Sequence, residues 1–183
     1  MPYKPVKLFA QVSALLLAQA FFTLPATAAA GDNVRFHGAL VAEPCVIPPG
    51  EEEIALDFGT IIDKYLYLNT RTIGQPFTLH LTDCDQSLGQ TVKVSFSGTE
   101  STALPGLLAI DGSGGASGIA IGLETQQAVP LPLNKASGTY PLRSGDNLIG
   151  LKAFVQGEPA AIANQTIGLG AFSAVATFSL EYE

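Results

Sequence analysis

Phe172-Ser-Ala-Val-Ala-Thr-Phe-Ser-Leu-Glu-Tyr182 alternates without a break, placing Phe172, Ala174, Ala176, Phe178, Leu180 and Tyr182 on one face. A period of two is the pattern of a half-buried β-strand. A second alternating run, Val34, Phe36, Gly38, Leu40 and Ala42, lies ahead of the first cysteine. A long apolar strand at a sheet edge is a liability unless something covers it. The expectation is that residues 172–182 border an uncovered edge, and that the run near residue 34 is a cover supplied to a neighbour.

The front of the chain reads as a targeting device. Lys4 and Lys7 precede an apolar core, Leu8 to Phe22, broken only by Gln11, Ser13 and Gln19. Pro25 then precedes two small-residue cleavage options, Ala26-Thr-Ala28 and Ala28-Ala-Ala30, as in a secretory leader. The competing reading is a membrane anchor, but the apolar stretch is short for a spanning helix. Export is therefore expected, with residues 1–28 as leader and a mature chain beginning between Ala29 and Gly31. The formal charge is −7, and a leader holding two lysines and no acid leaves the mature part more acidic still. Lysines and arginines are scattered along the sequence. This argues against nucleic acid and anionic membrane as partners.

Cys45 and Cys84 are the only cysteines. In an oxidising compartment a single disulfide is the default. On the loop-closure model it removes about 4 kcal/mol of unfolded-state entropy, less any strain. A metal or reactive-thiol pair would need more ligands than His37 and His80 can add.

Short strands punctuated by glycine, proline and serine fill the mature part: Asn33–Val41, Ile54–Ile61, Gln75–Leu81, Thr91–Ser97, Leu107–Ile110, Gly118–Leu123, Leu148–Val155 and Ala171–Tyr182. Their spacing predicts an all-β sandwich of one domain. Residues 126–147 read as loop with a short strand at most, and Ala160–Gln165 as no more than a helical turn. No catalytic constellation appears. There is no strand–turn–helix nucleophile elbow, and the glycines of 112–118 fit a hairpin loop better than a phosphate cradle. Glu51-Glu-Glu53 reads as a solvated loop. No enzyme activity, cofactor, metal or small-molecule substrate is expected.

These residues converge on a family. Val34-Arg-Phe-His-Gly38 followed by Val41-Ala-Glu-Pro-Cys45 resembles the start of mature pilins assembled by the chaperone–usher pathway. Cys84 after Phe77-Thr-Leu-His-Leu-Thr-Asp83 is similar to their second cysteine, and the ending is similar to their terminal motif, with Gly170 fourteenth from the end and Tyr182 penultimate. Phe96-Ser-Gly-Thr-Glu100, Ala103-Leu-Pro-Gly106 and Gly118-Ile-Ala-Ile-Gly-Leu123 resemble most the minor tip and adaptor subunits of P-type pili. The resemblance implies an incomplete immunoglobulin-like β-sandwich lacking its final strand, with an N-terminal donor-strand extension. It also implies a periplasmic pilus chaperone, an outer-membrane usher and neighbouring pilin subunits as partners, and a fimbrium on the cell surface as the destination. The groove and chaperone-binding terminal strand would be carried by Gly170, Phe172, Phe178, Leu180, Tyr182 and Glu183, whose terminal carboxylate would be captured by basic chaperone residues. A terminator, a major rod subunit and a glycan-binding tip adhesin are the alternatives within the same system.

On a strand, Val34, Phe36 and Gly38 would point the same way and fill such a groove, Val34 and Phe36 each gaining about 1.5–3 kcal/mol from burial. By alternation alone the same segment could be the protein's own first strand. Its position, immediately after the expected cleavage site, favours a free arm. The expected organisation is leader 1–28, donor extension 29–38 and pilin domain 39–183.

Overall fold

The computed structural model describes residues 37–183, so the leader and most of the expected donor extension, including Val34 and Phe36, lie outside the described residues. Residues 40–183 form one compact unit. Among the described residues no helix is long and apolar enough to cross a membrane.

The elements follow the order α1 (Asp63–Asn69), β1 (Gln75–Cys84), β2 (Thr91–Gly98), β3 (Leu108–Ala109), β4 (Ile119–Thr125), β5 (Tyr140–Pro141), β6 (Gly145–Gly157), α2 (Pro159–Asn164) and β7 (Ala176–Tyr182). They make two antiparallel sheets, one of four strands in the order β1-β6-β4-β3 and one of three in the order β5-β2-β7. The expected all-β class holds, as a sandwich whose second sheet ends on β7.

Alternation explains the core. Val92, Val94 and Phe96 of β2 are buried, and Leu79 and Leu81 of β1 meet Ile149, Leu151 and Val155 of β6 in the same cluster. Phe77 and Phe96 pack edge to face, ring centroids 6.4 Å apart. Cys45 and Cys84 form the disulfide, joining the chain ahead of the first sheet to the end of β1. Val46 and Thr82 exchange backbone hydrogen bonds of 2.8 and 2.7 Å beside it.

Three stretches depart from the expected strands; of Asn33–Val41, the described residues 37–41 are exposed and form no strand. Residues 54–61 form no strand, although Leu56 and Phe58 still turn inward while Ala55 and Asp57 are exposed. The apolar alternation is present, but a ladder needs a partner edge. Gly59, at φ +60°, also donates its N–H to Asp57 Oδ1 and turns the chain. Helix α1 falls where the sequence predicts no element. It runs for seven residues, buries only Leu66 and has no side-chain N-cap, so it carries neither the apolar stripe nor the cap that announces a helix. The region 160–165 does contain a short helix, α2, started by Pro159 in its first turn and closed at Gln165 in the left-handed conformation.

Candidate functional site: an uncovered edge

β7 is bonded to β2 by a continuous register from Val92↔Tyr182 to Gly98↔Ala176, and it ends the three-stranded sheet. Among the described residues no strand pairs with its outer edge. Its inward row tells the same story. Ala176, Phe178, Leu180 and Tyr182 are only half-buried, whereas Thr177, Ser179 and Glu181 on the other face are exposed. The inward side chains of the paired strand β2, by contrast, are buried.

Half-buried apolar side chains from outside the strand add to this surface. Leu56, Phe58 and Ile61 pack on the core from the strandless segment, and Phe58 meets Phe172 with ring centroids 6.3 Å apart. An unpaired row of N–H and C=O groups beside a half-covered apolar row is a template for one added strand.

The other residues read from the sequence fall into three places. Phe172 and Gly170 precede β7 and lie on a segment bonded to the loop 111–117, through Asp111 and Ser173 and through the Ala171 N–H to Gly114 O. Gly170 sits at φ +153°, and a Cβ there would collide with the Gly114 carbonyl oxygen, so its glycine serves this close approach. Gly38 is exposed, with nothing within 4 Å of where a Cβ would stand. Glu183 closes the β7 ladder: its main-chain carboxylate oxygen accepts from the N–H groups of Gln90 and Thr91 at 2.8 and 3.1 Å, and its side chain pairs with Lys93.

Electrostatics reinforce the ladder end. The Glu183 carboxylate raises the Lys93 ammonium above its ordinary value. Burial, with Glu43 adding to it, raises the Tyr182 phenol. Among the described residues no group of three or more His, Cys, Asp or Glu side chains is placed to hold a metal ion. The edge offers shape, apolar surface and backbone bonds, and those are means of binding a chain rather than of making or breaking bonds.

Comparison with known proteins shows the family. A family model described as Fimbrial protein matches residues 34–183. A Proteus mirabilis protein described as a minor fimbrial subunit, PmfF, is 32% identical over 163 residues, covering 88% of this chain and 90% of the relative. The Fimbria A protein of Serratia marcescens is 32% identical over 151 residues, 82% of this chain and 84% of that protein. Among solved structures, the P pilus rod subunit PapA superposes with a TM-score of 0.66 at 24% identity, covering 77% of this chain and all of that one. A subunit from the structure of a chaperone–usher pilus does so with a TM-score of 0.66 at 25% identity, covering 87% of this chain and all of that one.

Proposed function

Because the chain belongs to the fimbrial protein family, we propose that it is a minor, adaptor-like structural subunit of a chaperone–usher fimbria, polymerising by donor-strand exchange and supporting cell adhesion. Like its relatives it is a structural subunit and not an enzyme. The observation that supports this reading is the half-buried row Phe178, Leu180 and Tyr182 on an edge with no partner strand. In the periplasm a chaperone strand would cover that edge, with basic chaperone residues holding the terminal carboxylate of Glu183. At the outer-membrane usher, the extension of a neighbouring subunit would replace it, and the product would stand on the cell surface.

This chain's own extension, residues 29–38, would serve the preceding subunit, with Val34, Phe36 and Gly38 facing into that subunit's groove. The leader, 1–28, would be removed on export, and 39–183 would be the pilin domain. A repeated rod subunit is the second reading, supported by 30% identity to the Major MR/P fimbria protein of Proteus mirabilis over 175 residues.

The test is Phe36→Asp in chaperone-bound subunit. Folding and chaperone binding should be unchanged if, as proposed, the arm lies outside the sandwich. Transfer onto an acceptor subunit should fall at least tenfold, since a buried carboxylate replaces an apolar anchor. Transfer at the normal rate would remove Phe36 from the donor role.

A further inference from the structure

Beside α1 lie two clefts that differ in what their polar groups already do. In the first, at Arg71, Glu124 and Lys152, the charges are answered from within: Arg71 Nη1 donates to Glu124 Oε2 at 2.9 Å, and Lys152 Nζ donates to Gln126 O at 2.6 Å. The second, of about 490 Å³, lies between α1 and the end of α2 and is lined by Asp63, Lys64, Tyr67, Leu68 and Gln165. None of these five residues belongs to β7 or its inward row.

The walls of this second cleft are fixed by the fold. Asp63 and Tyr67 stand one turn apart on α1, as do Lys64 and Leu68, so four of the lining side chains come from two adjacent rows of one helix. The Tyr67 hydroxyl accepts from the Ile167 N–H at 3.1 Å, which ties α1 to the chain just after α2. Gln165 is held at φ +54°, in the left-handed conformation that closes α2. Gly157 lets α2 lie close on the end of β6, since a Cβ there would stand 2.9 Å from the Ile162 side chain. The cleft is therefore formed before any ligand arrives.

What it leaves unsatisfied defines the ligand. Among the described residues, the side chains of Lys64 and Gln165 have no hydrogen-bond or ion-pair partner. The Lys64 N–H donates to Asp63 Oδ1 at 2.8 Å, which leaves the second carboxylate oxygen of Asp63. The Tyr67 hydroxyl, an acceptor toward Ile167, keeps its own proton to give. Leu68, 83% exposed, adds an aliphatic wall beside the Tyr67 ring. One cation is thus matched by one anion, which disfavours phosphate or sulfate, groups that call for a net positive site. The mixture of donors and acceptors disfavours a purely apolar ligand. A neutral pyranose answers both conditions: it offers a face of C–H groups to Tyr67 and Leu68, and hydroxyls that each donate and accept.

We propose that the cleft between α1 and α2 is a binding subsite for a neutral saccharide, separate from the β7 edge. Open to solvent, it should hold a single ring with a dissociation constant of about 1 mM.

The experiment is saturation-transfer difference NMR on the full mature chain as secreted, with D-glucose, D-galactose, D-mannose and N-acetyl-D-glucosamine offered singly at millimolar concentration. Sorbitol, which has the hydroxyls and no ring, is the control, and inorganic phosphate is the anionic competitor. Transfer to the ring protons of at least one pyranose is expected, with none to sorbitol and no displacement by phosphate. Leu68→Asp and Gln165→Gly should each lower the transfer roughly tenfold, the loss of one contact of ordinary strength. Both positions are exposed, and glycine suits the left-handed backbone at 165, so neither change reaches the core. Lys135→Ala, exposed and outside the cleft, should leave the signal as it was. No transfer to any of the four pyranoses, equal transfer to sorbitol, displacement by phosphate, or a signal that survives in either cleft variant overturns the proposal.

Discussion

β2 and β7 are neighbours in one sheet with the same alternating pattern, yet Val92, Val94 and Phe96 are buried while Phe178, Leu180 and Tyr182 are only half-covered. Sequence supplies both rows; neighbours complete only one. β2 has β5 on one side and β7 on the other, while β7 has a partner on one side alone. A half-buried apolar row is what a strand looks like when it lies at the end of its sheet. On the proposed donor-strand reading, the difference between the two strands measures how much stabilisation this fold leaves to another molecule.

Truncating matched aromatics would test that most severely. Phe96→Ala should destabilise the mature chain by about 4 kcal/mol, the usual cost of emptying a filled aromatic site. Phe178→Ala should cost about 1 kcal/mol in the same urea titration, because its ring is already partly in water, but should weaken binding of a donor strand by tenfold or more. Equal losses of stability for the two variants would mean that β7 is as complete as β2.

The disulfide offers a second contrast, with a smaller effect. It secures the Cys45 segment to β1, on the sheet that does not contain β7. Replacing Cys45 and Cys84 together by serine should cost about 2–4 kcal/mol, through the freed loop of the unfolded chain. Donor-strand affinity of the molecules that still fold should stay within a factor of a few. A collapse of affinity in that folded fraction would show that the groove depends on this anchor.

How much of this was legible beforehand follows from which signals are local. The row from Ala176 to Tyr182 could be read because an edge strand keeps a strict polar–apolar alternation, and Val92, Val94 and Phe96 because they share the same period. The Cys45–Cys84 bond needed only a count of two. Residues 54–61 misled, since alternation reports which way side chains face and is silent on whether a partner edge exists. Leu56 and Phe58 face inward as expected, without a ladder. The terminal motif puts Gly170 with the last strand, but the reason for glycine there is a close approach to Gly114, which is distant in sequence and therefore invisible in it. The cleft at Arg71, Glu124 and Lys152 was missed for the same cause: its charges meet only through sheet register. A glutamate at position 124, after the apolar run from Ile119, was the one local hint.

The gentlest probe of the difference between the two sheets is alkaline pH. Burial raises the phenols of Tyr140 on β5 and Tyr182 on β7, and Glu183 raises the ammonium of Lys93 on β2. All three lie in the sheet that ends on β7. Each folded-state value is above its unfolded one, ordinarily 10.0 for tyrosine and 10.5 for lysine, so the unfolded state releases its protons first. Their contribution is then complete below about pH 10 and is lost as pH climbs through the folded values. Asp85 has the opposite sign. Its carboxylate is lowered by Ser87, and its contribution fades only as pH falls through the acid range. The melting temperature should therefore hold level from pH 7 to about 9.5 and decline above 10. Ultraviolet titration should show the phenols of Tyr140 and Tyr182 ionising late, above the ordinary tyrosine value, and Tyr182→Phe should remove one of this pair and soften the decline. A donor strand seated on β7 covers Tyr182 further and should push that late ionisation higher still. If adding a donor peptide leaves the late phenols where they were, the peptide is not lying against the inward row of β7.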